Sequence, residues 1–196
     1  MGETLPLATI QQAVLEFLRG REDVVLFGAQ AVNAYVNVPR MTQDIDLLSS
    51  RAAMFAQELR EVLHQQFHIA VRIRQVSQGR GYRLFQVQQP SNRHLVDIRA
   101  VEALPAAQRL GDILVLAPAE LIASKVLAYH QRRGRPKAGT DWRDLALMLL
   151  RFPALKQEHS AVRACLEASG ASAAVLAVWH ELVIQELQAE DEDEEF

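Results

Sequence analysis

The sequence predicts an α/β (α+β) fold, a mixed sheet flanked by helices and followed by a lobe of helices alone. Three observations carry that prediction. Short apolar runs of strand length alternate with helix-spaced stretches as far as residue 116. The character changes at Pro118. From there to Ala189 only helical patterning remains, with breaks at Gly134 to Gly139, Pro153 and Gly170. The expected division is a sheet lobe over 1–116, a helical lobe over 117–189 and an acidic tail over 190–196.

Taken in order, Ile10, Val14, Phe17 and Leu18 recur at helical spacing, so the chain opens with an amphipathic helix ending near Gly20. Val24-Val25-Leu26-Phe27, stopped by Gly28, reads as a buried strand, and Ala29 to Val36 restarts as a helix. Asp44 and Asp46 alternate with Ile45 and Leu47, the pattern of a strand with two unlike faces. Ser49 and Ser50 offer caps for a helix through Phe67, with Phe55, Leu59, Val62 and Leu63 on its inner side. Strands are expected over Ile69 to Val76, Tyr82 to Gln88, His94 to Ile98 and Ile113 to Leu116. The first two are joined by a hairpin turn at Gly79-Arg80-Gly81.

Composition narrows the function classes. Of 196 residues 49% are apolar, which predicts a packed core, yet no run approaches the roughly 18 residues of a membrane span. Met1 to Leu7 lacks a basic start leading into an apolar stretch, so no secretion signal is expected. A single cysteine, Cys165, excludes an internal disulfide framework and a multi-cysteine metal site. It reads as a small packing residue, as do Trp142 and Trp179 as large ones. The six histidines lack the paired spacing of a zinc site. Neither a P-loop lysine motif nor a nucleophile elbow is present. A cytoplasmic enzyme with no membrane partner is expected. The net charge of −3 is uneven: Glu186 to Phe196 holds seven acidic residues and no basic one, leaving 17 acidic against 21 basic elsewhere. Such a tail is expected to be solvated and disordered.

Residues two apart in a strand share a face, so Asp44 and Asp46 project together while Ile45 and Leu47 anchor the opposite side. Two adjacent carboxylates repel each other near pH 7 unless a cation lies between them. Magnesium takes oxygen ligands, commonly one or two carboxylates plus substrate phosphates. Asp97, between Val96 and Ile98, has the same local form. A third carboxylate permits a second ion about 4 Å from the first, or draws the proton from an acceptor hydroxyl. Asp-x-Asp by itself is most often a solvated face. Its context adds to it: Gly28-Ala29 follows an apolar strand and opens a helix, where backbone N–H groups can approach a phosphate.

In the second lobe Leu121, Lys125 and Tyr129 share a helical stripe, so Lys125 stands where an apolar residue is expected. It either snorkels or reaches a cleft, where it would stabilise phosphate charge. Arg132, Arg133, Arg135 and Lys137 surround Gly134 and Pro136, a basic loop suited to triphosphate or an RNA backbone if it is more than a solvated turn. Thr140 can cap the next helix, with Asp141 in its first turn. Asp144 is then the residue to orient Lys125 or a metal ligand.

The segment Phe27-Gly28-Ala29 through Arg40-Met41-Thr42-Gln43-Asp44-Ile45-Asp46-Leu47 resembles the polymerase-beta-like nucleotidyltransferase pattern of a glycine, a small residue and an Asp-x-Asp strand. Its wording is similar to the AbiEii-type abortive-infection toxins and related small bacterial nucleotidyltransferases. Alanine stands at Ala29 where a second glycine or serine is usual, keeping the backbone donor without a hydroxyl. The likeness continues through Leu116 to Lys125 and into Thr140-Asp141-Trp142-Arg143-Asp144-Leu145, where the family often begins with lysine. It covers roughly residues 24–150.

The resemblance implies a polymerase-beta-like sheet and transfer of a nucleoside monophosphate from a triphosphate to an acceptor hydroxyl. It implies Asp44, Asp46 and Asp97 as metal ligands for Mg2+, two ions with Mn2+ as an alternative. Lys125 joins them in catalysis, and Gly28, Ala29, Arg40, Thr42, Lys125 and Asp144 contact the nucleotide. The acceptor would be tRNA, protein or a small molecule, and a separately encoded antitoxin would be the partner of a toxin. The reading from another class is a catalytically silent module of the same fold that binds nucleotide or RNA and regulates a partner.

Overall fold

The computed structural model describes residues 5–188. The acidic tail expected over 190–196 lies outside them. The chain divides into two compact units, one holding the segment through Ala34 with Val38–Ala117, the other Tyr35–Asn37 with the segment from Pro118.

The first unit contains helices α1 (Leu7–Leu18), α2 (Gly28–Tyr35) up to its last residue, and α3 (Ala52–Phe67). Its strands are β1 (Val24–Phe27), β2 (Ile45–Ser49), β3 (Val71–Val76), β4 (Gly81–Gln86), β5 (Arg93–Ala100), β6 (Ala107–Leu110) and β7 (Ile113–Leu116). They form one sheet in the order β3-β4-β5-β2-β1-β7-β6. It is mixed: β1 pairs with β7 and β2 with β5 in parallel, and the other ladders are antiparallel. β1 is buried along its whole length, as a strand of unbroken apolar residues must be. β2 alternates: Ile45 and Leu47 are fully buried, while Asp46 and Leu48 are half-buried. Helix α3 packs along β2 to β5, with Phe55, Ala56, Leu59 and Leu63 completely buried. Near its start, the Arg21 guanidinium lies 4.7 Å and 4.9 Å from the rings of Phe17 and Phe55 and pairs with Asp23 and Glu58.

Three local expectations are corrected. Ser49 and Ser50 do not cap α3, whose N-cap is Arg51. Ser49 is the last residue of β2, and its buried hydroxyl donates to the Asp23 carbonyl while accepting from the Arg51 N–H. The β3–β4 turn lies two residues earlier than Gly79-Arg80-Gly81: Ser77 to Gly79 make it, all with positive φ, and Gly81 already opens β4. Strand β6 was not expected, because Ala107-Gln108-Arg109-Leu110 has no β-branched residue to announce it. It is an edge strand joined to β7 by Gly111-Asp112, both at positive φ, a turn whose twist suits a hairpin.

The second unit contains α4 (Pro118–Arg132), α5 (Lys137–Arg151), α6 (Ala161–Ala168) and α7 (Ala173–Ile184). Leu121, Ile122, Val126, Leu145, Met148, Val162, Leu166 and Trp179 form its core. Trp142 is 37% exposed, so it is not the packing residue expected. Cys165 is half-buried, and burial pushes its thiol up to about 11. Helix α5 begins at Lys137, so Thr140 lies inside it and does not cap it. Asp141 falls beyond the first turn. No helix among the described residues is long and apolar enough to cross a membrane.

Candidate active site

Strands β2 and β5 run parallel with Asp46 opposite Asp97. Register partners share a face, so two residues distant in sequence deliver their carboxylates to the same side of the sheet. The row continues outward to Arg83 on β4, which is opposite Asp97 and donates its Nε–H to Asp97 Oδ1 at 2.8 Å. Inward it reaches Phe27 on β1, opposite Asp46, with the Arg99 guanidinium 4.8 Å from the Phe27 ring.

His94 is the residue that sequence reasoning missed. In a regular strand His94 and Asp97, three apart, would point to opposite faces. The β4–β5 ladder shifts register between Leu84 and Phe85: Leu84 faces Val96, and Phe85 faces His94. Leu95 is therefore an extra residue, and the bulge re-aims the strand by one position. Leu95 and Val96 are consecutive yet both buried, which a regular two-sided strand does not allow. The imidazole consequently arrives on the Asp97 side, its Nδ1 3.1 Å from Asp44 Oδ2 and its Nε2 3.9 Å from Asp97 Oδ1. Phe85 stacks on the ring at 4.9 Å between centroids. Asp44, His94 and Asp97 each present one ligand atom, all within 4.8 Å of one another.

The hydrogen bond to Asp44 is the main reason that His94 titrates above its ordinary 6.5, against the opposing pull of burial. A raised folded-state value means stabilisation that is complete below the unfolded pKa and lost as pH rises through the folded one. In the presence of a chelator, the melting temperature is expected to fall as pH rises above 6.5, and His94→Asn should remove that part of the slope. Thermal melts across the range read it directly; equal slopes in both proteins would reject the His94–Asp44 pair as its source.

Gly28 starts α2 with φ +71, a region that side-chain-bearing residues rarely occupy. A Cβ there would lie 2.8 Å from both Cβ and Cγ of Asp46, and closer still to Oδ2. The glycine is thus needed twice, for its own backbone and as room for the Asp46 carboxylate. Ala29 follows in the first turn of α2.

The loop leading to Asp44 is held by amide side chains. Asn33 on α2 grips the backbone of Arg40, donating to its carbonyl at 2.8 Å and accepting from its N–H at 3.0 Å. Gln30 donates to the Thr42 hydroxyl at 2.8 Å, and Gln11 donates to the Thr42 carbonyl at 3.0 Å. Thr42 is buried, so its side chain serves first to fix the approach to β2. Gln11, Gln30 and Asn33 are helix-borne amides with no motif, and only the folded loop reveals them.

Lys125 and Asp144 meet inside the helical unit. Lys125 Nζ donates to Asp144 Oδ2 at 2.6 Å and lies 4.0 Å from Asp141, which accepts two hydrogen bonds from Arg132. Lys125 is 7% exposed and Asp144 fully buried, so the lysine does not snorkel. Two members of the basic loop are likewise engaged, Arg132 with Asp141 and Arg133 with Glu181. Removing one partner of a buried pair leaves the other charge uncompensated. Asp144→Ala is therefore expected to destabilise the protein by about 3 kcal/mol or more, and Lys125→Met with Asp144→Leu to recover much of it. Urea melts of the two variants test this; a double variant no more stable than the single one would argue against it.

The donor set suits a divalent cation: carboxylate oxygens from the residue before β2 and from β5, and an imidazole whose Nε2 is buried without a hydrogen-bond partner. The model of the family described as "Nucleotidyl transferase AbiEii toxin, Type IV TA system" matches residues 12–196. The chain belongs to this AbiEii family. The family is one of nucleotidyltransferases, and the mixed sheet is that fold.

Solved structures agree on the fold. The polyadenylate synthase of Megavirus superposes with a TM-score of 0.60 at 14% identity over 75% of this chain. The AbiEii-family chain spans 32% of that protein's length. JHP933 from Helicobacter pylori gives 0.54 at 12% identity, over 90% of this chain and 87% of that one. ANT(2")-Ia, solved with adenylyl-2"-tobramycin, gives 0.52 at 15% identity, over 84% and 97%. No curated protein matches the chain.

Proposed function

We propose that this AbiEii-family chain transfers a nucleoside monophosphate from a triphosphate to an acceptor hydroxyl with release of pyrophosphate. The in-register pairing of Asp46 with Asp97, beside Asp44, is the observation that carries this reading. These three carboxylates would hold Mg2+, as two ions or with Mn2+ in its place. Bound there, the cation would neutralise phosphate charge and polarise the bond to be broken. The chain's own groups do the rest. Gly28 and Ala29 present backbone N–H groups at the start of α2 to the phosphates. Arg40 adds positive charge from the loop, and Thr42 keeps that loop seated. Asp97 accepts the proton of the attacking hydroxyl.

The family's description names a toxin of a type IV TA system, which supports the setting we propose, a toxin with a separately encoded antitoxin, acting in the cytoplasm. The test is incubation with each labelled triphosphate and an extract of total RNA and protein. Label in a macromolecule or small-molecule fraction, with stoichiometric pyrophosphate, supports transfer and identifies the acceptor as tRNA, protein or small molecule. Tight binding of triphosphate without pyrophosphate release would favour the silent regulatory module instead.

A further inference from the structure

We infer that His94 binds the divalent ion directly through Nε2, which makes the site a mixed nitrogen and oxygen one. This rests on the metal-dependent reading above and adds a ligand to it. The geometry supplies the argument. A carboxylate only accepts, so the 3.1 Å contact with Asp44 Oδ2 assigns the Nδ1 proton to that hydrogen bond. In the neutral ring Nε2 is then a lone pair. That atom is buried, has no hydrogen-bond partner, and lies 3.9 Å from Asp97 Oδ1, too far for a hydrogen bond. In the neutral ring a buried lone pair facing a carboxylate oxygen is unfavourable; a proton or a divalent cation on Nε2 relieves it, and the cation alone also gains the Asp44 and Asp97 oxygens as ligands.

The surroundings are those of a ligand held in place. The bulge at Leu95 turns the ring onto the carboxylate face, Phe85 stacks against it, and Asp44 fixes its tautomer. A carboxylate on the far nitrogen of a metal-bound histidine is a recurrent arrangement that sets ring orientation and basicity. Packing alone explains the stacking. It does not explain a polar nitrogen left buried and unpaired toward Asp97.

The chemical consequence is selectivity. Magnesium favours sites made of oxygen, whereas an imidazole ligand raises the relative affinity of transition ions such as Mn2+. With His94 as a ligand, the Mn2+ to Mg2+ affinity ratio should fall by about tenfold or more in His94→Gln.

The experiment is pulsed electron paramagnetic resonance of Mn2+ bound to the full chain with inorganic tripolyphosphate, which brings no nitrogen of its own. Expected is a directly coordinated 14N signal in the wild type, absent from His94→Gln, which still binds Mn2+ more weakly. Mn2+ bound to the wild type without 14N coupling would overturn the ligand assignment and leave the metal-dependent reading standing. An unchanged Mn2+ to Mg2+ ratio in a folded His94→Gln would overturn it too. No Mn2+ binding by the wild type at all would sink both. Because the wild-type spectrum decides by itself, a misfolded variant does not block the test.

Discussion

Asp46→Asn is expected to reduce transfer by roughly a thousandfold or more while the protein stays folded. The substitution is nearly isosteric, and it removes one negative charge at the end of the Arg83–Asp97–Asp46 row. A bound cation that stabilises a phosphoryl transition state contributes several kcal/mol, and about 4 kcal/mol corresponds to roughly a thousandfold in rate. Stability should hardly change, because Ile45 and Leu47, the buried neighbours on either side, are untouched. Loss of one of several repelling carboxylates can even raise the melting temperature in a metal-free buffer. Pyrophosphate release measured beside a thermal melt separates the two effects. Full activity in a folded Asp46→Asn would remove Asp46 from the machinery, and with it the reading of the Asp-x-Asp strand.

The sheet lobe was legible where one period ran uninterrupted. Val24 to Phe27 and Ile45 to Leu47 declare themselves, since an unbroken apolar run and a strict alternation each have one simple structural solution. Asp97 was legible for the same reason, as an acid between Val96 and Ile98. His94 was not, because the bulge at Leu95 breaks the period between them. Nothing in Arg93-His94-Leu95-Val96-Asp97 states that an extra residue will be accommodated there; the partner strand β4 decides it. Strand β6 failed for a different reason. Its residues have low strand propensity, and its position at an edge next to β7 comes from a tertiary pairing. The signal present was Gly111-Asp112, a two-residue hairpin turn in plain sequence.

The helical lobe shows how a correct anomaly can be assigned an incomplete cause. Lys125 in an apolar stripe does mark something unusual, and Asp144 is its partner. What the stripe could not show is that both groups are buried within one helical unit, with Asp141 and Arg132 beside them. Likewise, the basic stretch looks unbalanced only along the sequence. In the fold, Arg132 and Arg133 meet acids from α5 and α7, 9 and 48 residues further along the chain.

Gly28→Ala is expected to lose both activity and stability, and the reason separates two accounts of this glycine. On the first, glycine is there only for its left-handed backbone, which costs another residue about 1 kcal/mol. On the second, it also makes room for Asp46, whose Cβ and Cγ would each lie 2.8 Å from an added methyl. Overpacking of that kind adds about 1–3 kcal/mol, and the strain can be relieved only by moving Asp46 or parting β1 from β2. The expected result is a melting temperature lower by about 5–10 °C, with transfer reduced by a hundredfold or more as the carboxylate is displaced. A double-mutant cycle with Asp46→Gly isolates the steric part. In that background the methyl meets no side chain at position 46, so the cost of Gly28→Ala should shrink to the backbone share alone. An equal cost in both backgrounds would mean that the glycine answers only to its own φ. The coupling between the phosphate-approaching turn and the Asp-x-Asp strand would then have to be carried by something other than this contact.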